Sequence, residues 1–257
     1  MRLIALAVLV SSSVVLAAPR AFTASAGPGV LSRSFSWQGD PSTSLLPASQ
    51  PVAAVVSVDL VWFPCAHVTE GAGSWFGLFG QADVGLGLWS KLANSEAVFA
   101  NTVTRLRVGA LARLPLGERV SLVVHAGYAR QGFSTSTRAV NATVSRPNLP
   151  DVLFEGPRGG LGLRVRLGEA SELEVLAGGQ YALGLGELGS QAWFPLSTAF
   201  STDAGASVAF RLVDNVRLRL GAQWVGTFVT LGGNGLYRDQ GAQEHTFTGT
   251  AAVQWAM

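Results

Sequence analysis

The sequence has a single cysteine, Cys65, and little charge: aspartate, glutamate, lysine and arginine make up 13% of its 257 residues. One cysteine excludes an internal disulfide and a cysteine-based zinc cluster. The only lysine is Lys91, and a formal net charge of +2 is too small to indicate a nucleic-acid-binding surface. Beyond the N-terminal segment, no apolar run approaches the about 18 residues of a spanning helix, which excludes a helical membrane protein.

The N-terminal segment is typical of a secretory signal peptide. Met1-Arg2 gives a short basic start, and Leu3 to Ala18 is apolar and followed by small residues. This stretch falls short of the about 20 apolar residues that a spanning helix needs, which favours a cleaved leader over an uncleaved anchor. We predict a signal peptide at 1–17, with cleavage as late as residue 26 as an alternative.

The rest of the chain is unusually apolar for a sequence with so few charged residues. Hydrophobic residues make up 48% of the sequence and the mean hydropathy is +0.34, which is unusual for a soluble protein with so few charges. An outer-membrane β-barrel reconciles these facts, because alternate residues of each strand face lipid while the others face a polar lumen. We therefore predict a β-barrel domain at 27–257 in the outer membrane of a Gram-negative bacterium.

Apolar and polar side chains alternate along most of this domain. Val216, Leu218 and Leu220, for example, alternate with Arg217 and Arg219. A strand holds these two sets on opposite faces, whereas a helix would rotate them around its axis. The fold class predicted is all-β, a closed antiparallel up-and-down transmembrane barrel of about ten strands, with eight as the alternative. The predicted strands are 30–38, 51–62, 77–89, 102–114, 119–131, 158–168, 172–184, 200–212, 215–229 and 244–257.

The connections alternate between short and long. Tight turns are predicted at 115–118, 168–171 and 213–215, and long connections at 132–157, 185–199 and 230–243. Short periplasmic turns and long extracellular loops are the outer-membrane pattern, and ten strands place both termini on the periplasmic side. The connection at 63–76 is longer than a periplasmic turn should be, which indicates a bulge or longer flanking strands.

The last predicted strand carries a family resemblance. Phe247, Val253 and Trp255 belong to an alternating apolar series that ends at Met257. This segment resembles the closing strand of bacterial outer-membrane proteins, although those usually end in phenylalanine. In kind the chain is most similar to the small OmpA-like and OmpX-like barrels, with two more strands than their usual eight. The resemblance implies membrane lipids and the outer-membrane assembly machinery as partners; any extracellular ligand stays unknown, and no nucleic acid is expected.

The inward face is predicted to be rich in arginine. Around the turn at Glu169, a hairpin would place Arg164 opposite Glu174 and Arg166 opposite Glu172. The predicted lumen charge network comprises Arg105, Arg107, Arg113, Arg164, Arg166, Glu172, Glu174, Arg211, Arg217 and Arg219. By the same parity, the side chains of Arg119, Asp59, Asp83 and Asp203 also point inward.

Three functions are compatible with such an interior. The first is a non-enzymatic structural or surface-interaction barrel whose lumen is largely filled by ion-paired side chains, since small barrels have narrow interiors. The second is a small passive pore that prefers anions, because arginines lining a constriction lower the barrier for anions. The third is a lipid-modifying enzyme of the outer membrane. We favour the first.

The enzymatic alternative rests on few residues. Only His125 of the three histidines faces inward, and Ser121 lies four residues away on the same strand, roughly 13 Å at the usual rise. That distance is too long for the hydrogen bond that a nucleophile needs. No catalytic residue, cofactor or metal ligand is predicted. Inward glycines such as Gly160 are interpreted as positions that leave room for a facing arginine or ring.

Overall fold

The computed structural model describes residues 20–38, 48–69, 71–91, 97–141, 150–232 and 241–257. Most of these residues belong to β-strands. The strands are β1 (Phe22–Gln38), β2 (Ala48–Trp62), β3 (Phe76–Leu86), β4 (Leu88–Lys91), β5 (Val98–Pro115), β6 (Val120–Thr135), β7 (Val152–Arg166), β8 (Ser171–Ala182), β9 (Gly184–Gly186), β10 (Thr198–Val213), β11 (Val216–Thr230) and β12 (Gly241–Ala256). The helices in this part of the chain are single 3₁₀ turns, and none is long and apolar enough to cross a membrane.

The strands close into one antiparallel ring. Its order is β1, β12, β11, β10, β8, β7, β6, β5, β3 and β2, and β2 returns to β1. The short strands β4 and β9 continue β3 and β8 beyond breaks at Gly87 and Leu183. At Gly87 the φ angle is 60°, a left-handed conformation that favours glycine. The predicted ten-stranded up-and-down barrel is therefore confirmed for the described residues.

Both ends of the described chain lie at the end of the barrel that carries the short turns. The backbone amide of Phe22 donates to the carbonyl of Met257 at 3.1 Å, and the amide of Met257 donates back at 2.9 Å. β12 pairs with β1 along its length, so the last strand closes the barrel. Short turns mark the periplasmic end, which we use to orient the molecule.

The first strand is longer than predicted. It begins at Phe22 instead of residue 30, and Thr23 to Ala26 pair with both β2 and β12. The alternation of apolar and polar residues did not reveal this stretch, because its side chains are mostly small and it lacks large outward apolar residues. The predicted signal peptide at 1–17 lies outside the described residues. Cleavage after residue 26 would remove Phe22 to Ala26 from this strand.

Several strands extend further at the extracellular end than predicted. β7 begins at Val152 instead of 158, and β6 ends at Thr135 instead of 131. The predicted long connection at 132–157 is correspondingly shorter. Apolar and polar residues alternate only in the part of a strand that crosses the lipid. Strand segments that extend beyond the bilayer need not alternate, so the sequence pattern does not reveal them. On the periplasmic side, the connection at 63–76 contains two 3₁₀ turns, Pro64–His67 and Ala72–Trp75.

The two faces of the wall differ as the alternation predicts. Outward apolar side chains are exposed, including Val58, Leu106, Leu161, Leu163, Val175, Leu220 and Val253. Inward side chains are mostly buried, and many are polar, such as Arg105 and Thr227. A closed ladder satisfies the backbone groups internally while the wall presents an apolar surface, which is what a hydrocarbon environment requires. Most buried polar and charged side chains therefore lie inside the barrel.

Candidate functional site

An apolar cluster, here called the outer plug, lies at the extracellular end of the lumen. Phe35 of β1 and Phe154 of β7 belong to it, although these two strands face each other across the ring. Leu188, Trp193 and Phe194 come from the connection between β9 and β10 and complete it. Leu188 and Phe194 are 0% exposed, so this connection folds into the barrel mouth.

The connection that forms the plug is fixed to the barrel by hydrogen bonds. The carboxylate of Glu187 accepts from the backbone amide of Asp151 at 2.8 Å, and the amide of Leu188 donates to the Asp151 carbonyl at 3.3 Å. The amide of Leu196 donates to the carbonyl of Gly232 at 3.1 Å. The ring of Phe194 lies 6.0 Å from that of Trp37 on β1. Contacts with β1 and with residues adjacent to β7 and β11 thus hold the plug in place.

Below the plug, polar side chains join opposite walls of the barrel. Nε2 of Gln131 on β6 donates to the carboxylate of Glu244 on β12 at 2.9 Å. Nη1 of Arg105 on β5 donates to Oε1 of Gln223 on β11 at 3.2 Å. Both strand pairs are five positions apart in the ring of ten, which is the full width of the lumen. We call this level the middle layer.

Arg33 connects the plug with the middle layer, since its guanidinium carbon lies 5.6 Å from the centre of the Phe35 ring. Its Nη2 donates to the Glu244 carboxylate at 2.7 Å, and both side chains are nearly fully buried. The guanidinium carbon of Arg33 lies 3.7 Å from the centre of the Phe133 ring, a cation–π arrangement. A buried charge is tolerated when it is paired and hydrogen-bonded, and both conditions hold here.

A second buried ion pair lies deeper in the middle layer. Nη2 and Nε of Arg158 donate to the two carboxylate oxygens of Asp203 at 2.6 and 3.2 Å. Arg158 reaches Asp203 across β8 at Gly178, where a β-carbon would lie 2.9 Å from Nη2 of Arg158. A β-carbon at Gly160 would lie 2.5 Å from Nε2 of His125, so that glycine leaves room for a facing ring, as predicted.

The geometry around His125 fixes its chemical role. Nη1 of Arg158 lies 2.6 Å from Nε2 of His125. A guanidinium can only donate, so Nε2 is the acceptor and the imidazole is neutral with its proton on Nδ1. The nitrogen that a general base would use is therefore occupied. Among the described residues, no three histidine, cysteine, aspartate or glutamate side chains are grouped as around a metal ion.

Towards the periplasm, arginines and acids form a continuous series of ion pairs. Arg164 lies opposite Glu174 in the ladder, and Arg166 lies opposite Glu172, which confirms the predicted hairpin register. Arg164 bonds to the carboxylates of both Glu172 and Glu174 at 3.2 Å. The series continues at 3.5 Å from Glu172 to Arg217, from Glu174 to Arg219, and from Arg219 to Asp59.

Beyond these pairs the lumen widens into a cavity of about 640 Å³ at the periplasmic end, here called the periplasmic chamber. It is bordered by seven arginines and three glutamates, an excess of four positive charges. The arginines are Arg20, Arg113, Arg119, Arg164, Arg166, Arg211 and Arg217, and the glutamates are Glu118, Glu169 and Glu172.

The ten residues of the predicted charge network are distributed over different levels of the lumen. Arg164, Glu172, Glu174, Arg217 and Arg219 lie in one ion-paired series. The other five are divided between levels: Arg105 and Arg107 bond to Asp83 and Gln81 in the middle layer, whereas Arg113, Arg166 and Arg211 line the periplasmic chamber outside that series.

Sequence reasoning missed Arg33, Arg158 and Glu244, three buried charges of the upper lumen. Arg158 shares strand parity with Arg164, and Arg33 shares it with the plug residue Phe35, so alternation alone could have found both. Glu244 stands at the first residue of a predicted strand, where parity also points it inward. Gln131 was missed because it stands at the end of its predicted strand and carries no charge.

No protein-family model matches the chain, and no curated protein matches it. In fold the chain is similar to the outer-membrane protease OmpT of Escherichia coli, with a TM-score of 0.55, 13% identity, and coverage of 92% of this chain and 96% of that one. The translocator domain of the autotransporter NalP of Neisseria meningitidis matches at a TM-score of 0.45 and 11% identity, covering 100% and 94%. The attachment invasion locus protein Ail of Yersinia pestis matches at 0.34 and 10%, covering 92% and 100%.

At this identity the likeness to OmpT concerns the fold. The closed ladder, the apolar outer face and that fold together define a small β-barrel of the bacterial outer membrane. No particular subfamily is indicated by these features.

Proposed function

We propose that this protein is a non-enzymatic structural or surface-interaction barrel whose lumen is closed on the extracellular side. The observation that carries the proposal is the plug: Phe35 and Phe154 come from opposite walls and pack in one cluster with Leu188 and Phe194. A passive pore needs a continuous water-filled path, and a dry apolar cluster across the lumen opposes one.

The polar contacts below the plug support the same function. The Gln131–Glu244 and Arg105–Gln223 hydrogen bonds cross the lumen at 2.9 and 3.2 Å. A solute would have to break these contacts and leave charges unpaired in a narrow interior, which is costly. Such bridges instead hold opposite walls at a fixed separation, a structural role.

Catalysis is not part of the proposal because His125, the inward histidine, is held as an acceptor by Arg158. A lipid-modifying enzyme would need this nitrogen beside a nucleophile or an activated water. The proposed partners are the lipids around the outward face and the outer-membrane assembly machinery, which we infer recognises the outward apolar series of β12.

Solute uptake into liposomes that contain the refolded protein tests the proposal. We expect vesicles to swell in small sugars or amino acids no faster than protein-free vesicles, with a known porin as the positive control. Swelling that rises with the amount of incorporated protein would contradict a closed barrel and support the anion-preferring pore.

A further inference from the structure

Ion pairs do not satisfy all the hydrogen-bond donors of the arginines at the periplasmic chamber. Four of its arginines have a buried guanidinium nitrogen with no hydrogen-bond partner in the described part of the chain: Nη1 of Arg20 and Nε of Arg113, Arg164 and Arg217. Buried donors are usually bonded, so unbonded ones that cluster at one cavity need an explanation. All four belong to side chains that line the chamber, but Nε of Arg33 and of Arg105, higher in the lumen, has no partner either. What distinguishes the chamber is that such arginines occur together with an excess of positive charge.

Arg113 shows how an arginine is held at the chamber wall. Its guanidinium carbon lies 4.7 Å from the centre of the Phe63 ring, so the aromatic face supports one side of the group. Stacking of this kind engages the face of a guanidinium and leaves its N–H groups, which lie in the plane, free to point elsewhere. Phe63 follows directly after β2 and is buried, which holds Arg113 at the chamber wall.

The charge of the chamber also favours an anion. Seven arginines face three glutamates, and Arg166 and Arg211 add positive charge outside the ion-paired series. A concave wall with an excess of one sign of charge concentrates ions of the opposite sign. Arginine forks match the paired oxygens of phosphate, and such charge-assisted hydrogen bonds are the strong ones.

We propose that the periplasmic chamber binds a soluble, phosphate-bearing anion that enters from the periplasm. The cavity of about 640 Å³ is larger than a single phosphate and falls in the usual range of small-molecule sites, so a multivalent phosphorylated molecule fits best. The barrel wall separates the chamber from the lipid, and the middle layer and plug separate it from the cell exterior. The chamber therefore opens to the periplasm, and binding there does not require the barrel to conduct.

Titration calorimetry of the refolded protein in a non-ionic detergent, with inorganic pyrophosphate as the probe, tests this proposal. We expect saturable binding that weakens as potassium chloride is added, since salt screens the attraction. Arg113→Gln should weaken binding by about tenfold through the loss of a charge-assisted hydrogen bond. Arg211→Gln should also weaken it, and because Arg211 is exposed at the chamber mouth, this variant should fold normally.

Arg130→Gln is the matched control, because Arg130 is an exposed arginine on the outward face, paired with Glu155. It should bind pyrophosphate like the unaltered protein. Each variant must first show the heat-modifiable migration of a folded barrel. The proposal is overturned if the unaltered protein shows no saturable binding, or if Arg113→Gln and Arg211→Gln bind as tightly as Arg130→Gln.

Discussion

The buried ion pair between Arg158 and Asp203 gives the sharpest prediction about the interior. Asp203→Asn would leave Arg158 and Arg107, which lies 3.9 Å from the same carboxylate, as neighbouring cations without the negative charge between them. Breaking a buried pair by removing one partner costs about 3–5 kcal/mol of unfolding free energy. Arg158→Gln should cost less, because Asp203 keeps Arg107 and the amide of Gln223 at 3.5 Å.

A double-mutant cycle in urea, with reversible folding into lipid vesicles, measures the coupling directly. The pair should couple by about 1–3 kcal/mol, the range for contacting residues. The matched control is the outward pair Arg130–Glu155 at 3.7 Å, whose arginine is 57% exposed, and its coupling should stay within about 0–1 kcal/mol. Equal coupling in the two cycles would refute the claim that the Arg158–Asp203 pair is buried and specifically coupled.

Three further predictions concern the lipid-facing wall, the glycine across which Arg158 reaches Asp203, and the plug. Leu163→Glu should lower the unfolding free energy by about 1–2 kcal/mol because its side chain faces lipid, whereas Ser207→Glu, inward among arginines, should cost much less in the same urea titration. Gly178→Val should destabilise the barrel, but adding Arg158→Gln to it should cost little more, since the valine already displaces that guanidinium. Phe194→Ala should cost about 3–5 kcal/mol and make the connection at 187–197 sensitive to external protease, and unchanged resistance would argue against an inserted plug.

Much of the wall could be predicted from the sequence. The alternation around Leu218 and Leu163 follows from a period of two, which fixes which side chains face lipid. The pairing of Arg164 with Glu174 follows from the short turn between them, because a tight turn sets the register of its hairpin. These features depend on residues that are close together in the chain, so they can be predicted without a structure.

The interior contacts could not be predicted in the same way. Whether Gln131 reaches Glu244, or Arg105 reaches Gln223, depends on which strands face each other once the ring has closed, and on the diameter of that ring. The plug was missed for a similar reason. Trp193 and Phe194 stand in a stretch with the polar and glycine-rich composition of an external loop, and nothing local indicates that it folds inward. The early start of β1 was hidden because its first residues are small on both faces.

The most direct test of the closed barrel is the current across a planar bilayer that contains the purified, refolded protein. Unaltered protein should give no steady single-channel conductance, while a variant with Leu188, Trp193 and Phe194 replaced by alanine should leak more often, because the plug is then incomplete. Steady, anion-selective channels from the unaltered protein, with a conductance that the triple replacement leaves unchanged, would contradict the account.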